Sequence, residues 1–243
     1  MRKGKLKFAS MIVAYNEERL IKGCLSGLTD LFNIVGISTP WCGEHKGFDR
    51  TEQYAREMGA YIFKQNFKTE GEQRTAISKF AKEKGYDYIF VIDADEYYRR
   101  ESIQNAMKFI EEHPAKRYDI DREYNFWKNE NWEIIPRISK VRLFCVPTGT
   151  VFPGYRNVNV PKLIMPTNVI LYHFSYVGPD ERILSKITHF SHANEIRKGW
   201  YENVWKKWTP EMENIHVTGD GSHFKKAIPF RCPLDIKRRY HLQ

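Results

Sequence analysis

Residues 88–96 read Tyr88-Ile89-Phe90-Val91-Ile92-Asp93-Ala94-Asp95-Glu96. The apolar part is typical of a buried strand, and the stretch ends in three carboxylates within four residues. Burying uncompensated carboxylates is costly, so these acids are expected to emerge at the tip of the strand. Carboxylate oxygens suit Mg²⁺ or Mn²⁺, ions that keep coordination positions open for phosphate oxygens. The stretch therefore predicts a metal and diphosphate site at Asp93 and Asp95.

The segments before this strand alternate between strand and helix patterns. Strands are expected over residues 6–14, 34–38 and 60–63, and helices over residues 16–28, 50–58 and 72–84. This alternation predicts a parallel sheet with right-handed crossovers. Ligands bind such sheets beyond the carboxyl ends of the strands. We therefore expect Tyr15-Asn16, the loop 39–48 and the acids 93–96 to meet in one crevice.

The pattern changes after residue 100. A helix is expected over 102–112, and irregular strands are expected over 118–127, 140–146, 158–165 and 169–174. These strands predict an antiparallel or mixed half of the sheet, which we assign to a second substrate. A long helix over 181–198, an aromatic stretch over 200–208 and a basic tail complete the expected order.

The charge of the chain favours an anionic partner. The sequence has 243 residues with 39 Lys and Arg against 30 Asp and Glu, a formal net charge of +9. A nucleotide diphosphate, a phospholipid surface and a nucleic acid all fit this excess. The tail concentrates it in Lys225-Lys226, Arg231 and Lys237-Arg238-Arg239. Peripheral contact with an anionic membrane or with DNA through this tail is therefore one expectation.

The cysteines and the N-terminal region indicate a cytoplasmic protein, at most peripheral to a membrane. The four cysteines form no Cys-x-x-Cys pair, which argues against a zinc knuckle or a disulfide framework. The apolar segment after the basic first residues is interrupted by Asn16-Glu17-Glu18. That interruption comes too early for a signal peptide or a membrane span, so no transmembrane segment is expected.

Four motifs give the chain a resemblance to a known family. In sequence order they are Ala14-Tyr15-Asn16-Glu17-Glu18, Asp49-Arg50-Thr51, Arg74 and Asp93-Ala94-Asp95. Through these motifs the chain resembles the glycosyltransferases of family 2. The resemblance implies the GT-A fold, a Rossmann-like α/β fold with a mixed, mostly parallel central sheet flanked by helices. It also implies an enzyme that moves a sugar from a nucleotide-sugar donor to an acceptor hydroxyl with inversion.

The resemblance also implies roles for individual residues. The donor base is expected near Ala14 and Tyr15 and the ribose near Asp93, while Arg74 assists at the diphosphate. The full set implied to bind the donor is Ala14, Tyr15, Asn16, Glu17, Glu44, Asp49, Arg74, Asp93 and Ala94. The implied ligands of Mn²⁺ or Mg²⁺ are Asp93, Asp95 and His173.

The loop 39–48 departs from the family pattern because it is longer and more aromatic. Glu44 is our candidate to replace the family's Asp that reads the uracil edge. Uridine is the expected base, so the expected donor is a UDP-sugar.

The catalytic base is harder to assign. Inverting transfer needs a carboxylate that takes the proton of the acceptor hydroxyl. Relatives place an acid in a segment that reads Gly154-Tyr155-Arg156-Asn157-Val158-Asn159 here, without an acid. We therefore choose among acids of the acceptor half, with Glu123 first and Asp121 second, followed by Glu130 and Glu133. Four aromatic residues are candidates for stacking on the acceptor: Trp127, Trp132, Tyr155 and Trp200.

The expected organisation is a GT-A catalytic domain over residues 1–178 and a helical C-terminal extension with a basic tail over 179–243. Within the first, residues 1–100 bind the nucleotide-sugar and 101–178 bind the acceptor. The favoured acceptor is a glycan or a lipid-linked saccharide, and a hydroxylated base in DNA is the alternative. A nucleotidyltransferase and a non-catalytic nucleic-acid-binding protein remain as further readings, although the Gly-rich loop expected of the former is missing after the first strand.

Overall fold

The structure is a computed structural model that describes residues 5–37, 49–137, 142–189 and 193–241. Its strands are β1 Phe8–Ala14, β2 Phe32–Ile37, β3 Tyr61–Lys64, β4 Tyr88–Asp93, β5 Glu96–Tyr98, β6 Tyr118–Ile120, β7 Glu123–Ile135, β8 Arg142–Pro147, β9 Leu163–Ile164, β10 Leu171–Val177 and β11 Lys226–Pro229. Its α-helices are α1 Ile21–Leu25, α2 Thr51–Glu57, α3 Glu70–Glu83, α4 Arg100–Glu112, α5 Asp180–His189 and α6 Leu234–Tyr240. Across the described ranges, no helix combines the length and apolar character that a membrane crossing requires.

The larger sheet has the strand order β3-β2-β1-β4-β8-β6-β9. Strands β3, β2, β1 and β4 run parallel, as the alternation of strands and helices predicts. Strand β8 runs antiparallel to both β4 and β6, and β9 runs parallel to β6. The expected mixed, mostly parallel sheet is therefore confirmed.

Burial on both faces explains the apolar sequences of the central strands. Ile89, Phe90, Val91 and Ile92 of β4 are all fully buried. On one face, Val91 packs in a cluster that includes Ile77 of α3, and on the other face Ile92 joins the main core. Parallel strands covered on both sides read as continuous apolar runs, so polar residues are left to the strand ends.

A second sheet has the order β11-β7-β10-β5. Strand β4 of the first sheet ends at Asp93 and strand β5 of the second begins at Glu96, so the acidic tip lies where the chain passes between the sheets. Strand β10 pairs with β5 so that His173 is opposite Glu96. On its other side, β10 places His173 opposite Asn125 of β7. This pairing brings His173 to the acidic tip.

Three elements differ from the sequence-based expectation. Helix α1 begins only at Ile21, because Asn16 has a left-handed backbone with φ 49° and cannot start a helix. The strand expected over 158–165 is reduced to Leu163–Ile164, since Pro161 cannot donate a ladder hydrogen bond. The strand expected over 118–127 is divided into β6 and a much longer β7.

The C-terminal extension was expected to be helical, yet it also supplies strand β11, which pairs with β7. The single long helix expected over 181–198 is described as α5 over Asp180–His189 and as a separate 3₁₀ turn over Ala193–Glu195. The aromatic residues after it form a buried cluster with β7, β10 and α5, which we call the aromatic cluster: Trp127, Tyr176, Ile183, Trp200 and Trp205. Two of the predicted stacking residues, Trp127 and Trp200, therefore belong to the core.

Helix α6 is fastened to the first half of the chain by Arg239. Its guanidinium donates to the carbonyl oxygens of Gly23 at 2.8 Å and Tyr98 at 2.7 Å, and to the hydroxyl of Ser26 at 2.7 Å. Gly23 permits this approach, since a Cβ there would lie 2.6 Å from the Arg239 carbonyl oxygen. The extension and the larger sheet are therefore held together.

We expect Arg239→Ala to lower the free energy of unfolding by about 2–3 kcal/mol, because it leaves buried carbonyl groups without their charged donor. Urea denaturation followed by circular dichroism measures this change. The neighbouring Arg238 is exposed, so Arg238→Ala is the matched control and should leave the stability nearly unchanged. Equal stability of the two variants would contradict the fastening role of Arg239.

Candidate functional site

A cleft of about 620 Å³ opens at the carboxyl ends of β1 and β4. The residues predicted to bind the donor that line it are Tyr15, Asn16, Glu17, Asp49, Arg74, Asp93 and Ala94. His173 of β10 and one side of helix α5 also line the cleft. Ala14 is buried at the end of β1 and is not among the lining residues. Glu44 lies outside the described residues.

Asp49 joins the end of β1 to the start of helix α2. Its Oδ2 accepts from the backbone N–H of Glu18 at 2.9 Å, and its Oδ1 accepts from the backbone N–H of Thr51 at 2.9 Å. The Thr51 hydroxyl accepts in turn from the backbone N–H of Glu17 at 2.8 Å. These bonds hold the Tyr-Asn-Glu-Glu and Asp-x-Thr motifs together, which explains why both motifs belong to one site.

Asp93 lies between two arginines. Its Oδ1 accepts from Arg74 Nη2 at 2.6 Å and its Oδ2 accepts from Arg156 Nη1 at 2.9 Å. Arg74 also donates to Glu70 at 2.7 Å. Burial opposes ionisation of Asp93, but the charges of Arg156 and Arg74 outweigh it and hold its pKa well below the ordinary value. Asp93 is therefore ionised and held by arginines, with 29% of its side chain still exposed.

Glu96 is fully buried. It accepts from Arg142 Nη1 at 2.8 Å and from Arg156 through both carboxylate oxygens. Arg156 also donates to the carbonyl oxygens of Val91 and Leu143, which fixes its position against the larger sheet. Sequence reasoning missed Arg156, although it lies in the segment that lacks the acid of the family pattern.

His173 connects Asp95 to Glu123. Its Nε2 lies 3.4 Å from Asp95 Oδ1, and its Nδ1 lies 2.9 Å from Glu123 Oε1 and 2.8 Å from Asn125 Oδ1. Burial and the charge of Arg142 oppose protonation of the imidazole. Asp95 and Glu123 outweigh them and raise the pKa of His173 to about 9. The imidazole is thus oriented with one nitrogen toward the cleft acid and the other toward the second sheet.

The second oxygen of Asp95 is occupied by cations of helix α5. Asp95 Oδ2 lies 2.5 Å from Lys186 Nζ and 3.9 Å from Arg182 Nη2. Burial disfavours the carboxylate, but Lys186 and His173 hold the pKa of Asp95 well below its ordinary value. Arg182 is itself anchored by Glu17 at 2.9 Å.

Helix α5 was expected from the sequence, but its role in the site was not. Its residues that line the cleft follow helical spacing: Glu181, Arg182, Ser185, Lys186 and His189. The opposite face carries Ile183, which belongs to the aromatic cluster, and Ile187, which packs with it. The alternation of polar and apolar residues along α5 could have indicated this role from the sequence. The apolar face of such a helix packs on the core, which leaves its polar face for the cleft beside the His173 strand.

The predicted metal ligands are only partly brought together. In the ranges that the structure describes, no group of three or more His, Cys, Asp or Glu side chains is arranged to hold a metal ion. Asp93 is turned to its arginines, whereas Asp95 and His173 face each other. Mg²⁺ and Mn²⁺ are commonly held by one or two carboxylates together with substrate phosphates, so Asp95 would supply the oxygen ligand. His173 would join it as a neutral imidazole, which requires loss of its Nε2 proton. Glu123 behind His173 fits as well, since metal-binding imidazoles commonly donate their other nitrogen to a carboxylate.

Neither residue predicted as the catalytic base lines the cleft. Glu123 is buried and paired with Arg142 at 3.1 Å, and although burial raises its pKa, Arg142 and His173 lower it to about 2. A carboxylate with such a low pKa is a weak proton acceptor near neutral pH, so these surroundings disfavour Glu123 as general base. Asp121 lies between β6 and β7, away from the cleft lining.

The two remaining candidate acids are engaged elsewhere. Glu130 pairs with Lys237 at 2.9 Å, and Glu133 pairs with Arg137. Their positions on β7, among residues that do not line the cleft, give neither of them access to it.

Comparison with known proteins gives one family and several structural neighbours. Half of the chain is similar to 35% of the S. aureus TarS 1-349 structure in complex with UDP-GlcNAc, at 19% identity and a TM-score of 0.39. The mannosyltransferase PcManGT from Pyrobaculum calidifontis, in complex with GDP-Man and Mn²⁺, is similar over 81% of this chain and 66% of its own, at 14% identity and a TM-score of 0.46. A search of curated proteins gave no match.

Similarity to another structure of S. aureus TarS 1-349 covers 36% of that protein, so the chain spans little more than a third of its length. The family model named Glycosyl transferase family 2 matches residues 47–175, which is more than half of the chain. Those residues include the Asp-x-Thr motif, Arg74, the Asp-x-Asp motif and His173. The chain therefore belongs to glycosyl transferase family 2.

Proposed function

We propose that the protein transfers a sugar from a nucleotide-sugar donor to an acceptor hydroxyl with inversion. One observation carries this proposal: a single cleft at the carboxyl edge of the parallel strands is lined by Tyr15-Asn16-Glu17, Asp93 and the facing pair Asp95 and His173. Such an edge is where open α/β sheets bind nucleotides. Membership of glycosyl transferase family 2 supports the reaction class.

The donor we propose is a UDP-sugar, bound with Mn²⁺ or Mg²⁺ at Asp95 and His173. When bound, the ion neutralises the charge that develops on the departing nucleoside diphosphate. Asp93 keeps part of its carboxylate exposed while Arg74 and Arg156 fix its orientation, which suits an acceptor of ribose hydroxyl hydrogen bonds. Glu123 acts in this scheme as a positioning residue that orients His173.

The acceptor we propose is a glycan or a lipid-linked saccharide. Of the four aromatic residues considered for stacking, Tyr155 is the one that lines the cleft, and it is 49% exposed. An exposed aromatic ring at the edge of a cleft offers an apolar face to the C–H groups of a sugar ring.

A nucleic-acid or membrane acceptor receives less support from the basic tail. Lys237 is paired with Glu130, and Arg239 is bound to main-chain carbonyl groups of Gly23 and Tyr98. These contacts satisfy within the chain two of the charges that such a partner would need.

The proposed reaction is tested by a hydrolysis screen over UDP-, GDP- and TDP-sugars with Mn²⁺. We expect slow release of UDP from one UDP-sugar, because many transferases pass the sugar to water when no acceptor is present. Each reaction is repeated with EDTA, which should abolish release of the nucleotide. Release of pyrophosphate instead of a nucleoside diphosphate would favour a nucleotidyltransferase, and EDTA-resistant release would contradict the metal requirement.

A further inference from the structure

We propose that Lys186 is an internal counter-ion of Asp95 that the metal displaces, and that the displaced ammonium group then binds the donor diphosphate. This inference rests on the proposed function, because it takes the cleft to bind a divalent metal together with a diphosphate. Lys186 of helix α5 thereby becomes part of the donor site, paired first with Asp95 and then with the diphosphate.

Both carboxylate oxygens of Asp95 already have a partner within the chain. The Asp95 side chain is only 5% exposed, and its two oxygens have different partners. Oδ1 faces His173 Nε2 at 3.4 Å, while Oδ2 faces Lys186 Nζ at 2.5 Å. A divalent ion that binds between Asp95 and His173 therefore meets a carboxylate already paired with an ammonium group. Since two cations close to one carboxylate repel each other, the ion and Lys186 compete for Asp95.

The two cationic side chains of helix α5, Arg182 and Lys186, are held to different degrees. Arg182 is 8% exposed and is fixed by Glu17 at 2.9 Å and by the carbonyl oxygens of Ser175 at 3.2 Å and Val177 at 2.9 Å. Lys186 is 20% exposed, and among the described residues Asp95 is its only hydrogen-bond partner. Arg182 therefore stays in place when the charge of Asp95 is taken up, whereas Lys186 is released.

After its release from Asp95, the ammonium group of Lys186 binds the donor diphosphate. Lys186 lines the same cleft as Asp93 and Asp95, and its flexible stem carries the ammonium group over several ångströms. A diphosphate bound to the ion at Asp95 brings negative oxygens into this space. Exchange of Lys186 from carboxylate to phosphate leaves its ammonium group with an anionic partner. Metal binding and diphosphate binding should then strengthen each other, because each favours the released position of Lys186.

The test uses the full chain, Mn²⁺ followed by electron paramagnetic resonance, and inorganic pyrophosphate as a base-independent probe. Lys186→Met removes the competing charge while keeping most of the side-chain volume. We expect it to bind Mn²⁺ alone about tenfold more tightly than the unaltered protein, since a repelling unit charge close to the ion weakens binding by roughly that factor. In the presence of Mn²⁺ we expect its affinity for pyrophosphate to fall by a similar factor.

Lys186→Arg gives a result in the opposite direction. A guanidinium group offers several donors to the Asp95 carboxylate and is harder to displace, so this variant should bind Mn²⁺ alone more weakly than the unaltered protein. It retains the charge beside the buried Asp95 and therefore keeps the fold even if Lys186→Met is unstable. Lys206→Met is the matched control, because Lys206 forms an exposed pair with Glu202 at 3.1 Å. This control should leave both affinities unchanged.

The outcomes separate this inference from the proposed function. Equal Mn²⁺ affinity in Lys186→Met, Lys186→Arg and the unaltered protein overturns the exchange of Lys186, even if sugar transfer and its metal requirement stand. Tighter Mn²⁺ binding without loss of pyrophosphate affinity overturns the second partner of Lys186. The predicted order of Mn²⁺ affinities, with Met above Lys and Lys above Arg, supports the exchange whether or not the sugar donor has been identified.

Discussion

Asp95→Asn is expected to reduce sugar transfer about a hundredfold or more, because it removes the carboxylate charge that would hold the proposed metal, and that ion would stabilise the leaving diphosphate. The substitution keeps the size of the side chain, so Asp95 changes in charge but little in volume. In this variant Lys186 loses its anionic partner, whereas His173 keeps Glu123 at 2.9 Å. The effect is measured as the rate of sugar transfer, or of donor hydrolysis, at saturating Mn²⁺.

Thermal unfolding gives a second measurement of the same variant. UDP with Mn²⁺ should raise the melting temperature of the unaltered protein and leave that of Asp95→Asn unchanged, because a ligand stabilises only the state that binds it. Asp87→Asn is the matched control. Asp87 lies just before the first residue of strand β4, at the end away from Asp93, and accepts from the backbone N–H of Lys7 at 2.9 Å. Undiminished transfer by Asp95→Asn would falsify the assignment of the site.

Arg156→Met is expected to lower the free energy of unfolding by about 3–5 kcal/mol, because it leaves buried carboxylates without their cation. The guanidinium is 11% exposed and serves Glu96, which is fully buried, together with Asp93 at 2.9 Å. Arg142 at 2.8 Å from Glu96 and Arg74 at 2.6 Å from Asp93 remain, so the loss is large but the site keeps some compensation. Guanidinium chloride unfolding at neutral pH measures the change.

Arg100→Met is the matched control for this prediction. Arg100 also binds a carboxylate through two bonds, to Asp30 at 2.6 and 2.9 Å, but it is exposed. Exposed ion pairs contribute little, so this variant should unfold almost as the unaltered protein does. If both substitutions changed stability equally, burial could not be the reason for the importance of Arg156.

Much of the fold follows from local sequence patterns. The apolar run of β4 and the helix over α3 were predicted within a few residues of their bounds, because burial on both faces and helical spacing leave clear periodicities. The start of α1 was misplaced because the left-handed backbone of Asn16 lies in the turn between β1 and α1, which is held by hydrogen bonds to Asp49 at the start of α2. Strand β11 was missed because its four residues lie in a Pro-containing tail and form a strand only through pairing with β7.

The candidate site also contains residues that the sequence predicted and residues that it did not. Tyr15, Asp93 and Asp95 were predicted to share one crevice, and the structure places them in one cleft because the ends of parallel strands meet at one edge. The arginines around Asp93 were not predicted beyond Arg74. Arg156 is 63 residues away in the chain, and no periodicity relates the two positions.

The sequence alone determined the family, the mostly parallel sheet and the position of the acids at a strand tip, because these depend on local spacing and on the cost of burying charge. Only the tertiary structure decided which cation each acid meets. Asp93 is held by Arg74 and Arg156, whereas Asp95 is held by His173 and Lys186 from β10 and α5. Charge pairing acts through space, so two acids with one residue between them acquire different partners when distant elements pack on either side.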